Sequence, residues 1–599
     1  MINFRLVGKN LAISLEKMGY DEFNKTIRVL KDNGFRYNSA TQQWLGALHK
    51  KDSIKEILED FSLIDDKVPQ SVIDNILGEN KRQFFENPRR IPDYSLMNFP
   101  PIEGKSPYEN FQRKAISNGI NCSCRAFFYG MGSGKSYILS AIIAHRVYKY
   151  HDCSKVLIVT TNIGVRNLYY ELFKFIKDLD QSKVIIADKN NRNPFDNKDT
   201  DIIVTSYSSI RLISDFYKKQ YKISTKKPRK PFLPLNEWAN GGKLLLALDE
   251  SHCVASTTSI QSNIIATHAP CFTYRYLFSG TPADKPEKQW QQFNILDPYL
   301  VYNLSFTEWK NKMAYLGDRF SAFSVREWKE DELKKQNERF LSSYGEYYKT
   351  TDLVDLPNYN EQLIYIEMNP VHRKLYEEVI TQDLKDRNTV REIVNRFPYM
   401  LLAGDDPSLL EKHTEKFDDK LVKMINSFND KYLEKYNALE DIINDNPDDK
   451  IIVWIIHPTT AKRICDRFSK LNPICIVGGI EQDEKFKLVE EFKKGNHKLL
   501  VANITTLSTS VTITEATISV YFERAFNYTE YSQSQNRNYR IGQDKDVKSY
   551  ILIYNNSLDV LLNKNLESKG TLVNGLCSKD FLSQEDWKKI FNCKESDRF

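Results

Sequence analysis

Two regions of the chain share one rhythm. From about residue 102 to 300, and again from 431 to 580, short apolar or β-branched runs alternate with stretches in which apolar positions recur every three or four residues. In the first region the runs are RAFFYG, KVLIVTT, KVIIA, DIIVTSY, LLLALDE and RYLFSGT. In the second they are KIIVWIIHP, PICIVGG, KLLVAN, ISVYFE and KSYILIYN. Near-continuous apolar strands separated by amphipathic helices predict parallel sheets covered on both faces. The fold class is therefore α/β, with two parallel-sheet lobes. Residues 301–430 lack the rhythm. They are rich in Lys, Glu, Tyr and Asp and predict helical insertions with one strand, NEQLIYIEM.

The ends read differently. Residues 1–62 predict a small α+β domain. INFRLVG suits a strand, FNKTIRVLKDNGF has helical spacing up to Gly34, and FRYNSATQQWLGAL predicts a hairpin turning at Asn38 and Ser39. Residues 63–101 are richer in Pro, Asn and charge and read as a linker with a short helix. Residues 581–599 form a tail.

Composition narrows this only a little. The chain has 599 residues, 41% hydrophobic and 27% charged, enough to build proper cores. A net charge of +6 does not by itself imply a polyanionic partner. One stretch, YKKQYKISTKKPRK at 217–230, is basic without any acid. Such a run suits a solvated loop, or a phosphate contact. The nine cysteines are scattered, with no C-x-x-C pair and no disulfide framework, which fits a reducing compartment. The opening MINFRLVGKN is not a signal peptide, and no run approaches the ~18 apolar residues of a membrane span. The expectation is a soluble protein without a membrane partner. A bacterial or phage-infected cytoplasm is the expected location, with nucleus or virion as alternatives.

Three motifs carry chemistry. FFYGMGSGKSYIL runs from an apolar strand through a glycine-rich loop into a helix. Glycines let backbone amides approach phosphate oxygens, and the helix N-terminus favours their charge. Gly132, Ser133, Gly134, Lys135 and Ser136 are therefore candidates to hold ATP. Lys135 would reach the β- and γ-phosphates, and Ser136 would ligate Mg²⁺. The motif departs from G-x-x-x-x-G-K-[ST] at Tyr129, where glycine is expected. LLLALDESH ends a buried strand in two acids. Asp249 would hold Mg²⁺ and Glu250 would orient or deprotonate the attacking water. In YSQSQNRNYRIGQDKDV, Gln533, Arg537 and Arg540 are spaced four and three apart, which predicts one helix face. Such a face is often merely solvated. Arginines presented by the second lobe could equally neutralise the γ-phosphate.

In this order the motifs resemble the Swi/Snf-like branch of the superfamily-two helicases, over residues 102–580. SPYENFQRKAI is similar to the family's adenine-reading segment, with Gln112 as the reader. YGMGSGKS resembles D-E-M-G-x-G-K-T, and DESH matches the D-E-x-H box, which gives His252 a coupling role. LFSGTPADKPEKQW matches the G-T-P segment, where Ser279 and Thr281 would link ATP state to strand grip. QSQNRNYRIGQDKDV is close to Q-A-x-x-R-x-x-R-I-G-Q-x-x-x-V, placing Gln533 among the coupling residues and Arg537 and Arg540 among the catalytic ones with Lys135, Asp249 and Glu250. The resemblance implies two RecA-like lobes. Motif V departs from the family, with Ser508 and Ser510 where glycines are usual, and so does the Ia-type segment at Thr161 and Leu168. The amino-terminal unit resembles the HARP domain of annealing helicases, through an aromatic hairpin centred on Trp44. That implies a DNA-targeting role, with Arg36 and Lys50 as candidate phosphate contacts. The competing reading is that Phe35, Tyr37 and Trp44 are simply its core.

The resemblance implies an ATP-dependent motor on double-stranded DNA that remodels branched DNA by branch migration, fork regression or strand annealing. Candidate DNA contacts are Thr161, Arg166, Thr205 and Ser206 at strand ends of the first lobe, and Thr505 and Thr506 in the second. The main alternative is a transcription-linked ATPase acting with RNA polymerase. A recombination protein is another possible partner. A scaffold with a dead ATP site and an RNA unwindase are further rivals.

Overall fold

The computed structural model describes residues 90–568, apart from 163, 224–230, 284, 317–324, 382–389, 508–510, 525–526, 561 and 565. Before residue 90 it describes four strands together with Ile27 and Leu30. The four strands are β1 (Ile2–Val7), β2 (Asn10–Leu15), β3 (Arg36–Asn38) and β4 (Gln43–Ala47). They form an antiparallel sheet in the order β1-β2-β4-β3. The predicted hairpin is the β3–β4 pair, in which Tyr37 sits opposite Trp44 with ring centroids 5.4 Å apart. Strand β2 was not legible in the sequence. Most of the helix expected before Gly34 lies outside the described residues, as do the linker up to residue 89, Lys50 and the tail.

The chain gathers into two compact units. The first comprises Met1–Pro101, Gln112–Phe128 and Ser136–Tyr347; the second comprises Ile102–Phe111, Tyr129–Lys135 and Tyr348–Phe599. A seven-stranded sheet dominates the first. Its strands are β5 (Cys124–Tyr129), β6 (Lys155–Thr160), β7 (Val184–Ala187), β8 (Ile202–Ser206), β9 (Leu244–Asp249) and β10 (Tyr274–Phe278), joined later by β13 (Gly345–Tyr348). The order is β13-β5-β10-β9-β6-β8-β7. The registers from β5 through β7 are all parallel. Each of the six expected runs became a strand. Strands β5 and β6 are buried along their whole length, as continuous apolar runs covered on both faces require.

Three short strands arise where helices were expected. β11 (Ala314–Leu316) and β12 (Val325–Trp328) pair with each other, and β13 extends the large sheet beside β5. Glu346 on β13 ties it inward. Its carboxylate accepts from Arg125 and, at 2.7 Å, from Asn118 Nδ2.

The second unit holds a six-stranded parallel sheet. Its strands are β14 (Tyr359–Ile366), β15 (Lys450–Ile455), β16 (Ile474–Ile476), β17 (Leu499–Asn503), β18 (Ala516–Tyr521) and β19 (Val547–Tyr554), ordered β14-β19-β18-β15-β17-β16. Alternate residues of β15 feed two different cores. Ile452 and Trp454 pack on one side with Phe492 and Tyr531; Ile451, Val453 and Ile455 pack on the other with Tyr436 and Ile464. This is the two-parallel-sheet α/β architecture that the periodicity predicts. Among the described residues no helix is long and apolar enough to cross a membrane.

Candidate functional site

The glycine-rich loop follows β5 and ends in the helix Lys135–Ile143. Gly132 and Gly134 have φ of 79° and 81°, a left-handed backbone that only glycine adopts at little cost. The buried Ser133 hydroxyl donates to Gly130 O at 2.7 Å. Lys135 Nζ donates to the loop's own carbonyls, Tyr129 O at 2.9 Å and Gly130 O at 3.1 Å. The departure at Tyr129 has a packing reason. Its ring is buried, 6.3 Å from Phe111 and 5.5 Å from Tyr348. The loop is braced by Thr350, whose hydroxyl donates to Met131 O at 2.7 Å, and by Tyr348 O, which accepts from Gly130 N at 2.8 Å. Gln112 is fully buried in the helix Phe111–Asn121. Ser136 is half-buried in the helix's first turn.

The acidic segment follows β9. Thr160, at the end of the neighbouring β6, donates to Asp249 Oδ2 at 2.7 Å, and Tyr207 donates to Asp249 O at 2.7 Å. Glu250 takes a left-handed backbone, φ 50° and ψ 52°, which is strained for a residue with a Cβ. His252 Nδ1 lies 3.3 Å from Glu250 Oε2 and 3.3 Å from Ser279 Oγ. Burial pulls the imidazole pKa down, but the Cys253 thiol and the Glu250 carboxylate outweigh it and push the pKa up. Ser279 follows β10, the strand between β5 and β9, and its Oγ accepts from Thr281 N at 3.2 Å. Both residues are buried. The donor set suits the expected cation. A serine hydroxyl and a carboxylate held by a neutral hydroxyl are hard oxygen ligands of the kind Mg²⁺ takes.

The arginines correct one expectation. The helix Tyr528–Gln535 stops before them, and Arg537 and Arg540 stand in the irregular segment that follows. Arg537 N folds back to Ser534 O at 3.0 Å, a tighter closure than a continuing α-helix makes. Its guanidinium donates to Gln533 O at 2.9 Å and Val511 O at 3.0 Å, and approaches Met131 Sδ at 3.4 Å. A Cβ on Gly132 would lie 3.3 Å from Arg540 Cβ. Within the second unit the two arginines therefore stand against the glycine-rich loop. Gln533 is buried.

The candidate DNA contacts divide. Thr161 is half-buried, with its hydroxyl accepting from Gly164 N at 3.1 Å, and Arg166 is exposed. Thr205 is fully buried and donates to Ala187 O at 2.7 Å, so it is not at the surface. Ser206 is buried too, with its hydroxyl engaged by Ser208 and Ser209. Thr505 is exposed and Thr506 half-buried, and both hydroxyls donate to Asn503 Oδ1. Trp44 is buried; the exposed ring of that pair is Tyr37, at 53%. Of the basic stretch 217–230, Tyr217 is buried and Lys218 pairs with Asp215 at 3.2 Å, while 224–230 lie outside the described residues. So do Ser508 and Ser510.

Asp405, His457 and Glu523 also bring ligand atoms within 4.8 Å of one another, a spacing that could hold a metal. Their oxygens already have partners. Glu523 accepts from Ile456 N, His457 N and Thr460 Oγ1 at the start of the helix Pro458–Arg467. Buried Lys435 reaches Asp405 at 3.3 Å and Asp559 at 3.0 Å. No motif or spacing along the chain announces this network.

Against known proteins, the SNF2-related domain family matches residues 43–438, more than half of the chain. The chain belongs to the SNF2-related family. The helicase conserved C-terminal domain matches residues 434–542 of this SNF2-related protein. An "Uncharacterized ATP-dependent helicase" of Mycoplasma pneumoniae is 22% identical over 480 residues, 77% of this chain and 41% of the relative. A Caenorhabditis elegans protein, the homolog of "SWI/SNF-related matrix-associated actin-dependent regulator of chromatin subfamily A-like protein 1", is 20% identical over 560 residues, 88% of this chain and 69% of its own length. The solved structure "Sulfolobus solfataricus SWI2/SNF2 ATPase core in complex with dsDNA" covers 82% of this chain and 98% of its own, with 19% identity and a TM-score of 0.33. Four of the curated relatives are spanned over only 24–41% of their length.

Proposed function

We propose that this SNF2-related protein hydrolyses ATP to translocate on double-stranded DNA, and that its output is the remodelling of branched DNA. The observation that carries the proposal is the meeting of Arg537 and Arg540 with the glycine-rich loop that presents Lys135. Cationic side chains beside a phosphate-binding loop can stabilise the charge that develops on the transferred phosphoryl group.

Each residue then has a task. Gln112 reads adenine, and Lys135 binds the β- and γ-phosphates. Ser136 and Asp249 hold Mg²⁺, which would neutralise phosphate charge when bound. Glu250 orients the attacking water. His252, Ser279, Thr281 and Gln533 relay the state of the nucleotide. Thr161, Arg166, Thr505 and Thr506 keep partly or fully solvent-facing positions and are the proposed phosphate contacts. Thr205, Ser206 and Trp44 leave the set because they are buried. In the amino-terminal sheet the exposed Tyr37 replaces Trp44 as the candidate targeting residue. Contacts to phosphates are blind to sequence, so binding should be non-specific and weaken with salt.

The test is steady-state ATPase activity with no nucleic acid, single-stranded DNA, linear duplex, four-way junction, fork and RNA, with Glu250→Gln as the blank. Stimulation by duplex that is greater with junctions supports the full reading. Stimulation by RNA alone would move the protein to the RNA unwindases. Indifference to every DNA would end the translocase reading and turn attention to a polymerase partner.

A further inference from the structure

Gln292 has no role in the motifs, yet its side chain ties two of them together. It lies on the helix Pro286–Leu296, 1% exposed. Its Oε1 accepts from Ser251 Oγ at 2.7 Å. Its Nε2 donates to Pro282 O, and to Lys288 O at 3.1 Å. Ser251, fully buried, is the residue after Glu250; Pro282 is the residue after Thr281. One amide thus clamps the segment that bears the acidic pair to the loop that follows β10. The chemistry of the two sides fixes the amide's orientation, with its oxygen toward a hydroxyl and its nitrogen toward carbonyls. Leucine could make neither contact. Glutamate could accept from Ser251 but would turn an oxygen against the Pro282 carbonyl.

The clamp stands where backbone strain is stored. Glu250 holds a left-handed conformation, and a strained residue persists only when its neighbours over-determine it. Ser251 is the next residue in the chain, and its hydroxyl donates to Gln292. The β9–β10 ladder ends at Asp249 and Phe278, and the side-chain contact beyond it, His252 Nδ1 to Ser279 Oγ, is longer at 3.3 Å and only partly buried.

We infer that Gln292 is a positioning residue, which holds the Glu250 segment in register with the Ser279–Pro282 loop so that the two move as one. This rests on the ATP-hydrolysing motor reading above. Glu250 would keep its aim at the water only while Ser251 stays anchored, and a signal arriving at the loop would reach Glu250 through the amide.

The experiment uses the full chain with Gln292→Leu, Gln292→Glu, Ser251→Ala and the Ser251→Ala/Gln292→Leu double variant. Thermal melting identifies folded variants. Turnover is measured with and without duplex DNA, and hydrogen exchange by mass spectrometry covers residues 249–254 and 279–283. Losing one buried hydrogen bond predicts roughly tenfold lower DNA-stimulated kcat for Gln292→Leu, with the KM for ATP within about twofold. Ser251→Ala should show a similar loss, and the double variant no further one, because both remove the same link. Gln292→Glu should fall between wild type and Gln292→Leu. Both segments should exchange faster in the folded Gln292→Leu protein. Additive losses, or wild-type kcat with unchanged exchange, would overturn the inference. Wild-type protein that hydrolyses no ATP would instead defeat the motor reading, and the exchange data would then decide the clamp alone.

Discussion

Thr160→Val probes the residue that orients Asp249. Valine nearly matches threonine in volume, and Thr160 is fully buried, so packing should be preserved. What is lost is one donor, 2.7 Å from Asp249 Oδ2. A hydrogen bond to a charged group contributes about 1.5–3 kcal/mol. If Asp249 must hold the same orientation to receive the cation, that free energy appears in the reaction as a roughly 10- to 150-fold fall in kcat/KM for MgATP. The assay is ATP turnover against Mg²⁺ concentration, run beside urea unfolding. The midpoint of Mg²⁺ activation should move to higher concentration. A second route to the same site is available. A Cβ on Gly164 would fall 2.3 Å from Thr160 Oγ1, so Gly164→Ala should displace the hydroxyl and give the same shift. If Thr160→Val unfolds earlier in urea but its Mg²⁺ curve and turnover overlay those of wild type, the hydroxyl serves the fold alone and the reasoning fails.

Other outcomes can be stated briefly. Lys435→Met leaves Asp405 and Asp559 buried without their shared ammonium, and should cost about 3–5 kcal/mol. Melting should show a fall in midpoint of at least about 6 °C; a change under about 2 °C would mean the network relaxes without it. His372 is buried, with Nε2 against Ala403 O at 2.8 Å and no hydrogen-bond partner at Nδ1 among the described residues. Burial lowers its pKa to about 4. The unfolded chain then binds the proton more tightly, so its contribution to stability should be lost as pH falls from about 6.5 to about 4. Urea midpoints across that range check the direction, and His372→Gln should flatten the slope. A His372 imidazole that titrates near 6.5 by NMR would refute the account.

Legibility in the sequence followed how local the cause was. The inner strands of both large sheets could be read because each is a short apolar run covered on two faces. β13, sequence GEYY, could not, since an edge strand held by a carboxylate has no such run. The glycine-rich loop and Asp-Glu pair were legible because contiguous residues make them. Thr350, Thr160, Gln292 and Asn503 were invisible, since each acts through a hydrogen bond across the fold and none belongs to a recognisable spacing. The burial of Thr205 and Ser206 was illegible for a related reason. They stand at the end of β8 as expected, but Thr205 turns its hydroxyl to a carbonyl of the adjacent β7. The arginine spacing fitted a helix, whereas the chain tightens after Gln535 and leaves it.

The seam between β5 and β13 bears on how the protein is made. The first sheet's founding strand begins at Cys124, and the neighbour that closes its edge ends at Tyr348. On the ribosome, more than two hundred residues must emerge before Arg125 and Asn118 meet Glu346, which are 221 and 228 positions away. Until then β5 offers an open ladder to any nascent chain nearby, a hazard for slow, non-local assembly. A fragment that stops at residue 300 should therefore precipitate when expressed, whereas one carried through residue 348 supplies the missing strand.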